Sequence, residues 1–174
     1  MSLDTLYRAA WVLPVTAPGA LALAFVGVEA RAVEVQVRIT PGNPTFAIVG
    51  LPDKAVAESR ERVRAAFQSL GLALPPKRVI VNLAPADLPK EGAHYDLAIA
   101  LVILSAIGII PPEKLSGVAA IGELSLDGRL LPVTGVLPAA MAAEAMGLQL
   151  ICPQACGAEA AWAGGAPIAA PNLI

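Results

Sequence analysis

Aromatic and charged side chains are both scarce in this chain of 174 residues, at 4% and 15% of the sequence. So few aromatics leave little material for a platform on which nucleic-acid bases stack. The formal net charge of −2 excludes a generally basic nucleic-acid binder, although a local basic patch stays compatible with it. Hydrophobic residues make up 56%, and much of that is Ala, Val and Leu, which indicates one tightly packed domain of the α/β type.

Cysteine and histidine are nearly absent. The chain has two cysteines, Cys152 and Cys156, and one histidine, His94. The two cysteines have a C-x3-C spacing without a second pair, so a zinc site would lack ligands, and we predict no metal site. Reduced thiols are the expected state, with a local disulfide or a redox pair as the alternatives. This cysteine usage fits a reducing cytoplasm.

Several motifs that carry chemistry are missing. The sequence has no G-x-x-x-x-G-K-[ST] run, so nothing in these residues is expected to cradle a nucleoside triphosphate. Neither G-x-S-x-G nor H-E-x-x-H occurs, and His94 lacks the partner pattern of a catalytic triad. We therefore predict no enzymatic activity and no cofactor for these residues.

A continuous membrane-spanning run is also missing. Residues 9–28 carry no charge, but Pro14 and Pro18 interrupt them, whereas a spanning helix needs about 20 continuous apolar residues. A signal peptide is the alternative for this stretch, but the chain from Ala24 onward has the pattern of a strand. We expect no membrane contact, and we interpret residues 1–20 as a flexible arm or a non-native extension.

Hydrophobic periodicity predicts the element order βββαβαββαβ, which is an α+β fold with helices packed on a mixed sheet. Ala30–Thr40 alternates strictly, and with Thr45–Val49 it predicts a hairpin over residues 33–49. The three helices of this order are predicted over Lys54–Leu70, Leu97–Ile110 and Val136–Met146, and Pro153–Ala163 is a candidate for one more. The other strands span Lys77–Leu83, Val118–Leu126, Arg129–Val133 and Leu148–Cys152. Asp127-Gly128 predicts a two-residue hairpin turn. Residues 21–165 form the predicted domain, and residues 166–174 the start of a linker.

The loop Ala84–Tyr95 and the helix after it form the best candidate for a site. No charged residue occurs from Leu97 to Ile110, so this helix is predicted to be buried on most of its circumference. Asp96 is predicted as its N-cap, because a carboxylate there accepts hydrogen bonds from the unpaired amides of the first turn.

Four ordered runs carry a resemblance to a known family. These runs are GLPDKAVAESRERVRAAF (Gly50 to Phe67), KRVIVNLAPADLPKEG (Lys77 to Gly92), YDLAIAL (Tyr95 to Leu101) and GELSLDGRLLPVTGVLPAA (Gly122 to Ala140). They resemble the N-terminal, Lon-protease-like domain of the magnesium-chelatase-subunit-I-like ComM/YifB family of AAA+ ATPases, over about residues 24–165. The resemblance implies the ribosomal-protein-S5-domain-2-like fold, similar to the Lon proteolytic domain and the RadA C-terminal domain.

The similarity to Lon would allow peptidase activity if the catalytic residues of Lon were kept. We therefore compare the residues at the two matching positions. Lon has its catalytic serine in a K-D-G-P-S-A-G segment, and His94 stands at that position here. Lon has its catalytic lysine after a G-x-x-L-P-x-G-G-L segment, and Leu137 stands there. A Ser-Lys dyad needs a hydroxyl and an amine of lowered pKa, so His and Leu cannot replace it. Ser105 and Thr134, nearby in sequence, are interpreted as packing or capping residues.

The family implies the partners. It consists of cytoplasmic hexameric motors, among which ComM proteins act in branch migration during natural transformation. The favoured hypothesis is a non-catalytic accessory domain that serves assembly, regulation or DNA guidance, beside its own AAA+ domain and neighbouring subunits. ATP and Mg are expected only for that missing AAA+ domain. The candidate interaction loop comprises Lys90, Glu91, His94, Tyr95 and Asp96, with a merely connecting loop as the alternative.

Two other functions are compatible with the sequence. A DNA-binding module would use a set of basic residues on and after the first helix, and its affinity would fall with salt. These candidate DNA contacts are Lys54, Arg60, Arg62, Arg64, Lys77 and Arg78. A Lon-like peptidase with a non-dyad arrangement is the remote alternative, because no positioned nucleophile and base are visible.

Overall fold

The computed structural model describes residues 19–174, so most of the arm predicted over residues 1–20 lies outside the described residues. Ala20, the second of the described residues, is fully buried. Nine strands are present in the described part: β1 Leu21–Val26, β2 Glu29–Thr40, β3 Thr45–Val49, β4 Arg78–Ala84, β5 Val118–Ala120, β6 Glu123–Leu124, β7 Leu130–Leu131, β8 Gln149–Pro153 and β9 Ile168–Ala170. The α-helices are α1 Lys54–Ser69, α2 Asp96–Ala106, α3 Val136–Ala145 and α4 Gly157–Ala161.

Seven of these strands form one mixed sheet in the order β3-β4-β2-β1-β5-β8-β9, and β6 pairs with β7 in a separate two-stranded ribbon. Only β2 runs antiparallel to its neighbours in the large sheet, because β3–β4, β1–β5, β5–β8 and β8–β9 are all parallel pairs. The predicted fold class, a mixed sheet with packed helices, is confirmed.

The predicted hairpin over residues 33–49 is wrong. Both strands exist, but β4 lies between them, pairing antiparallel with β2 and parallel with β3. The register places Val81 opposite both Val37 and Ile48. As an inner strand, β4 forms backbone hydrogen bonds along both of its edges. Local turn signals do not predict such an arrangement, because it pairs segments that are distant in sequence.

The sheet separates two hydrophobic cores. Helices α1 and α2 pack on one face, where Val33, Val81 and Leu83 are fully or almost fully buried. Helices α3 and α4 pack on the other face, against Leu23, Ile121 and Leu150. Strand alternation produces this division, since successive side chains of β1 and β4 point to opposite faces.

The first helix matches its prediction closely because its ends are encoded locally. Asp53 caps α1 by accepting from the Val56 amide at 2.7 Å, and Leu70 closes the helix ahead of Gly71, whose φ is +72°. The second helix differs from its prediction. It begins at Asp96, after a 3-10 turn over Ala93–Tyr95, so Asp96 is not its N-cap.

The C-terminal part contains more structure than its composition predicted. The ribbon β6–β7 confirms a hairpin around Asp127-Gly128, but Val118–Ala120 belongs to the large sheet instead. The stretch 166–174, predicted as the start of a linker, contains β9, which pairs in parallel with β8. Beyond it, Pro171 accepts from the Leu130 amide at 2.9 Å.

Candidate functional site

The loop after β4 is fastened to the segment that precedes α1. The Lys90 carbonyl accepts from the Asp53 amide at 2.9 Å, and the Asp53 carboxylate accepts from the Gly92 amide at 3.2 Å. On the other side of Lys90, its amide donates to the Leu51 carbonyl at 3.3 Å. One carboxylate, Asp53, therefore both caps α1 and holds the candidate loop against it.

Lys90 itself is turned inward. Its side chain is fully buried, and its ammonium group donates to the Pro85 carbonyl within the same loop. Burial lowers the pKa of Lys90, because desolvation disfavours the charged form. The expectation that Lys90 faces a partner is thus corrected: of the five candidate loop residues, only Glu91 is exposed. A sequence pattern does not show this, since a lysine in a polar loop is usually solvated.

His94, which the sequence analysis compared with the catalytic serine of Lon, is 9% exposed. Its Nε2 donates to the Leu23 carbonyl of β1 at 2.7 Å, and its ring packs between Phe25 and Tyr95 at centroid distances of 5.2 and 4.2 Å. Burial lowers the pKa of His94, which favours the neutral imidazole. The ring is used to join the loop to β1.

Tyr95 is fully buried, and its hydroxyl has no hydrogen-bond partner among residues 19–174. Burial raises the pKa of this phenol well above its usual value, so it stays protonated. Its ring contributes to the core beneath the loop. Tyr95 therefore supports the loop from inside and does not present a surface to a partner.

Asp96 is the centre of a buried polar network. Its carboxylate accepts from the Arg62 guanidinium at 2.6 and 3.0 Å, from the Leu124 amide at 3.0 Å and from the Ser59 hydroxyl. The hydrogen bond to Asp96 raises the pKa of Arg62, whose Nη2 also donates to the Ala55 carbonyl and to the Ser59 hydroxyl. A charge buried in this way is tolerated because each carboxylate oxygen has donors. The network joins α1, α2 and β6.

The second position that the sequence analysis compared with Lon is that of Leu137. Leu137 is in the first turn of α3, directly after Gly135 and Val136. A Cβ at Gly135 would approach the Phe25 ring to 2.7 Å, and the same ring packs on His94. Phe25 thus packs against His94 and lies close to Gly135, which is two residues before Leu137.

The two other hydroxyls near this region make no catalytic arrangement. Ser105 is 5% exposed inside α2, and its hydroxyl has no partner among residues 19–174. Thr134 is exposed in the turn before α3.

The structure divides the candidate DNA contacts into two groups. The four on α1 each lie near an acid: Lys54 is 3.8 Å from Glu58, Arg60 and Arg64 are each 3.5 Å from Glu61, and Arg62 binds Asp96. Lys77 and Arg78, at the start of β4, are exposed and form no ion pair within residues 19–174. The sheet adds Arg38, which the sequence analysis did not single out, close to Arg78 through the β2–β4 register.

The cysteines are both buried and free. Burial raises the pKa of the Cys152 thiol to about 11, and the neighbouring Cys156 thiol adds to this shift. In the part of the chain that the structure describes, no three His, Cys, Asp or Glu side chains are grouped so as to hold a metal ion. Over the same residues, no helix is both long and apolar enough to cross a membrane.

Comparison with known proteins gives relatives for most of the domain. The family described as subunit ChlI of Mg-chelatase matches residues 35–156. An uncharacterized protein of Mycobacterium tuberculosis is 48% identical over 125 residues, which is 72% of this chain and 25% of the relative. Competence protein ComM of Haemophilus influenzae is 44% identical over 128 residues, or 74% of this chain and 25% of ComM.

More distant similarity extends to proteases. Lon protease of Bacillus thuringiensis is 24% identical over 139 residues, covering 76% of this chain and 17% of that protease. The chain therefore spans about a quarter of the length of the ComM-like relatives it matches.

Proposed function

The chain belongs to the ChlI family of Mg-chelatase subunits, which includes the ComM and YifB relatives, and on that premise we propose that it is a non-catalytic accessory domain. In this proposal the domain serves the assembly or regulation of a longer AAA+ ATPase that processes DNA. ATP and Mg would be bound by other parts of that protein. In this proposal the word chelatase in the family name is a label of descent, because the 174-residue sequence has no G-x-x-x-x-G-K-[ST] run for an ATP-driven step.

The single observation that supports this proposal is the state of the Lon-like catalytic positions. His94 is neutral, nearly buried and hydrogen-bonded to the backbone of β1, and Leu137 has no ionisable group. An acyl-transfer site needs a nucleophile and a base within hydrogen-bond reach of each other and of the substrate. Here those positions are occupied by groups that pack, so the Lon-like fold is retained as a scaffold.

A peptidase assay tests the non-catalytic part of the proposal. The protein is incubated with labelled casein, beside the variant His94→Gln, which keeps a donor for the Leu23 carbonyl. We expect no cleavage above buffer by either protein. Cleavage that is lost in His94→Gln would overturn the proposal and support a peptidase with an unusual arrangement.

The accessory role is tested in a relative that contains the whole assembly. In ComM of Haemophilus influenzae, the segment that matches this chain is replaced by residues 19–174, and oligomer size and ATP hydrolysis are measured. The expected result is that the replacement retains both, whereas deleting the segment reduces them. If deletion leaves both unchanged, the domain has no role in assembly or regulation. Reading the gene past Ile174 for G-x-x-x-x-G-K-[ST] gives an independent test of the motor context.

A further inference from the structure

One exposed leucine is held in a backbone conformation that neither the fold nor the core explains. Leu51 has a φ of +59°, in the left-handed region that a residue with a Cβ seldom adopts. Its side chain is 57% exposed and belongs to neither hydrophobic core. Glycine or asparagine adopts this backbone conformation more easily than leucine does. Leucine at this position therefore indicates a contact that the domain does not make within itself.

Further exposed apolar residues surround Leu51. The Lys90 amide donates to the Leu51 carbonyl at 3.3 Å, which places the end of the candidate loop beside it. The Lys90 ammonium group donates to the Pro85 carbonyl, so the start of the loop lies close by as well. Val49, at the end of β3, is 44% exposed. We define the Leu51 patch as five exposed apolar residues: Val49, Leu51, Pro85, Ala86 and Pro89.

The patch has an acidic rim. Asp87 and Glu91 are exposed in the same loop, and neither forms an ion pair within residues 19–174. Lys90 is the only lysine or arginine of this loop, and its ammonium group is buried against the Pro85 carbonyl. The surface of the loop thus carries two negative charges and no positive one. Such a surface favours a cationic partner and repels an anionic one.

The residues beneath the patch hold it in one arrangement. Asp53 accepts from the Gly92 amide, and His94 joins the loop to β1. The ring of Tyr95 belongs to the core below. A surface that is ordered in advance loses little conformational entropy when a partner binds. The buried ionisable groups of the loop therefore prepare its exposed side chains for a contact.

We propose that the Leu51 patch is a docking site for a segment of a partner protein in which aliphatic side chains stand beside lysine or arginine. The aliphatic side chains of that segment cover Leu51 and Val49, and its cations pair with Asp87 and Glu91. Apolar contacts at the centre with charged contacts at the rim are the usual division of a protein–protein interface. This inference rests on the proposed function, because it names the kind of partner through which an accessory domain would act.

Two variants separate docking from folding. Leu51→Asn removes the apolar side chain, and because asparagine tolerates a positive φ better than leucine, the thermal midpoint should stay equal or rise. A residue that served only the stability of the domain would give the opposite result. Asp87→Asn combined with Glu91→Gln removes the acidic rim while keeping the size of both side chains.

Each variant has a matched control elsewhere on the surface. Leu126→Asn makes the same change at another leucine, which is 63% exposed. Glu113→Gln combined with Glu144→Gln removes two exposed carboxylates that also form no ion pair within residues 19–174. All these side chains are exposed, so circular dichroism should find each midpoint within a few degrees of the parent protein.

Binding is measured with peptides selected on the parent protein from a phage-displayed library of random dodecapeptides. We expect the enriched peptides to combine aliphatic residues with lysine or arginine. The most enriched one is then synthesised with a fluorescent label, and anisotropy gives its Kd for each protein. Leu51→Asn and the double acid variant should each weaken binding at least about tenfold, whereas each control should stay within about twofold of the parent. Salt should weaken binding to the parent, because it screens the ionic contacts.

Three results would contradict this docking site. The first is a selection that enriches no sequence, or acidic ones. The second is an equal loss of binding in the patch variants and their controls. The third is self-association of the parent protein in sedimentation that Leu51→Asn abolishes, because a second copy would then cover the patch.

Mass spectrometry of the peptide after incubation separates this test from that of the proposed function. Cleavage of the peptide would contradict the non-catalytic role. An intact peptide that binds all the proteins equally would contradict only the docking site.

Discussion

At the scale of single residues, the candidate loop uses its ionisable side chains to hold its own structure. Asp96, His94 and Lys90 are ionisable groups in a run of polar sequence, and each is buried with a defined partner: Arg62, the Leu23 carbonyl and the Pro85 carbonyl. Buried polar groups need such partners, since an unpaired one costs about 1–3 kcal/mol. Their role here is to fix the loop between β4 and α2.

Asp96→Asn is expected to destabilise the domain by about 3 kcal/mol. The amide keeps the size of the side chain but cannot accept from all of Arg62, Ser59 and the Leu124 amide, and breaking a buried pair costs about 3–5 kcal/mol. The lower end applies because the Arg62 side chain is 17% exposed and can reach water. Urea denaturation measures the change.

Glu58→Ala is the matched control, because Glu58 also pairs with Arg62, at 3.9 Å, but its side chain is 53% exposed. A change below about 0.5 kcal/mol is expected for this surface pair. A loss below about 1 kcal/mol in Asp96→Asn would show that the network is not important for stability.

His94 gives the domain a dependence on pH. The pKa of His94 in the folded protein lies below the ordinary value of 6.5. At a pH between the folded-state and unfolded-state pKa values, His94 is protonated in the unfolded chain and neutral in the folded one. Stability should therefore fall as the pH drops below about 6.5, whereas His94 has no effect on it at higher pH. Urea midpoints at about pH 7.5 and about pH 5.5 measure this. The drop in urea midpoint on acidification should be smaller in His94→Gln than in the parent protein. An equal drop in both proteins would contradict a role of His94 in the pH dependence.

At the scale of elements, the turn after β3 decides how the loop is held. Gly50 has a φ of +105°, and a Cβ there would lie 2.1 Å from the Leu83 carbonyl oxygen of β4. Leu51 follows with a φ of +59°, which is uncommon for a residue with a side chain. This turn brings Leu51 and Asp53 to the backbone of Lys90. The close approach of two backbones requires glycine at position 50.

Gly50→Ala should cost at least about 2 kcal/mol, because the methyl group clashes with backbone that cannot move away and the φ is unfavourable. Gly71→Ala provides the comparison. Gly71 also has a positive φ, of +72°, but no atom lies within 4 Å of its Cβ position, so about 1 kcal/mol is expected. Thermal and urea unfolding measure the loss of stability in each variant. Equal losses in Gly50→Ala and Gly71→Ala would show that the clash with Leu83 does not contribute.

At the scale of the whole molecule, the C-terminal stretch packs against parts of the domain that are distant from it in sequence. The C-terminal stretch returns to the β6–β7 ribbon, where Pro171 accepts from Leu130 and Leu173 donates to Gly128, both at 2.9 Å. β9 adds a parallel edge to β8. The folded unit thus extends beyond residue 165, and the chain ends beside the ribbon whose Leu124 amide contacts Asp96.

Removing residues 166–174 is expected to lower the thermal midpoint by several degrees, because the backbone hydrogen bonds of β9 and its extension contribute about 1 kcal/mol each. Removing Ile174 alone should leave the midpoint unchanged, since that side chain is 67% exposed. Scanning calorimetry on both truncated proteins measures this. An unchanged midpoint in the longer truncation would mean that the stretch behaves as a linker.

The sequence by itself determined the helices and strands whose signals are local. The alternation of β2 and β4, the extent of α1 and the apolar run of α2 were predicted within a few residues, because periodicity and helix-end signals act between neighbours in the chain. The ordered runs from Gly50 to Ala140 also identified the family. That His94 and Leu137 replace the Ser-Lys dyad of Lon stays a prediction from the sequence.

The tertiary structure alone decided which of these parts meet. Two of these features join segments that are far apart in sequence: the insertion of β4 between β2 and β3, and the pairing of Asp96 with Arg62. The inward turn of Lys90 depends on the residues that surround it in the folded protein. Arg38 and Arg78 likewise become neighbours only through the sheet register. Long-range pairing leaves no local pattern, because its free energy comes from burying several segments together and not from the preference of any one of them.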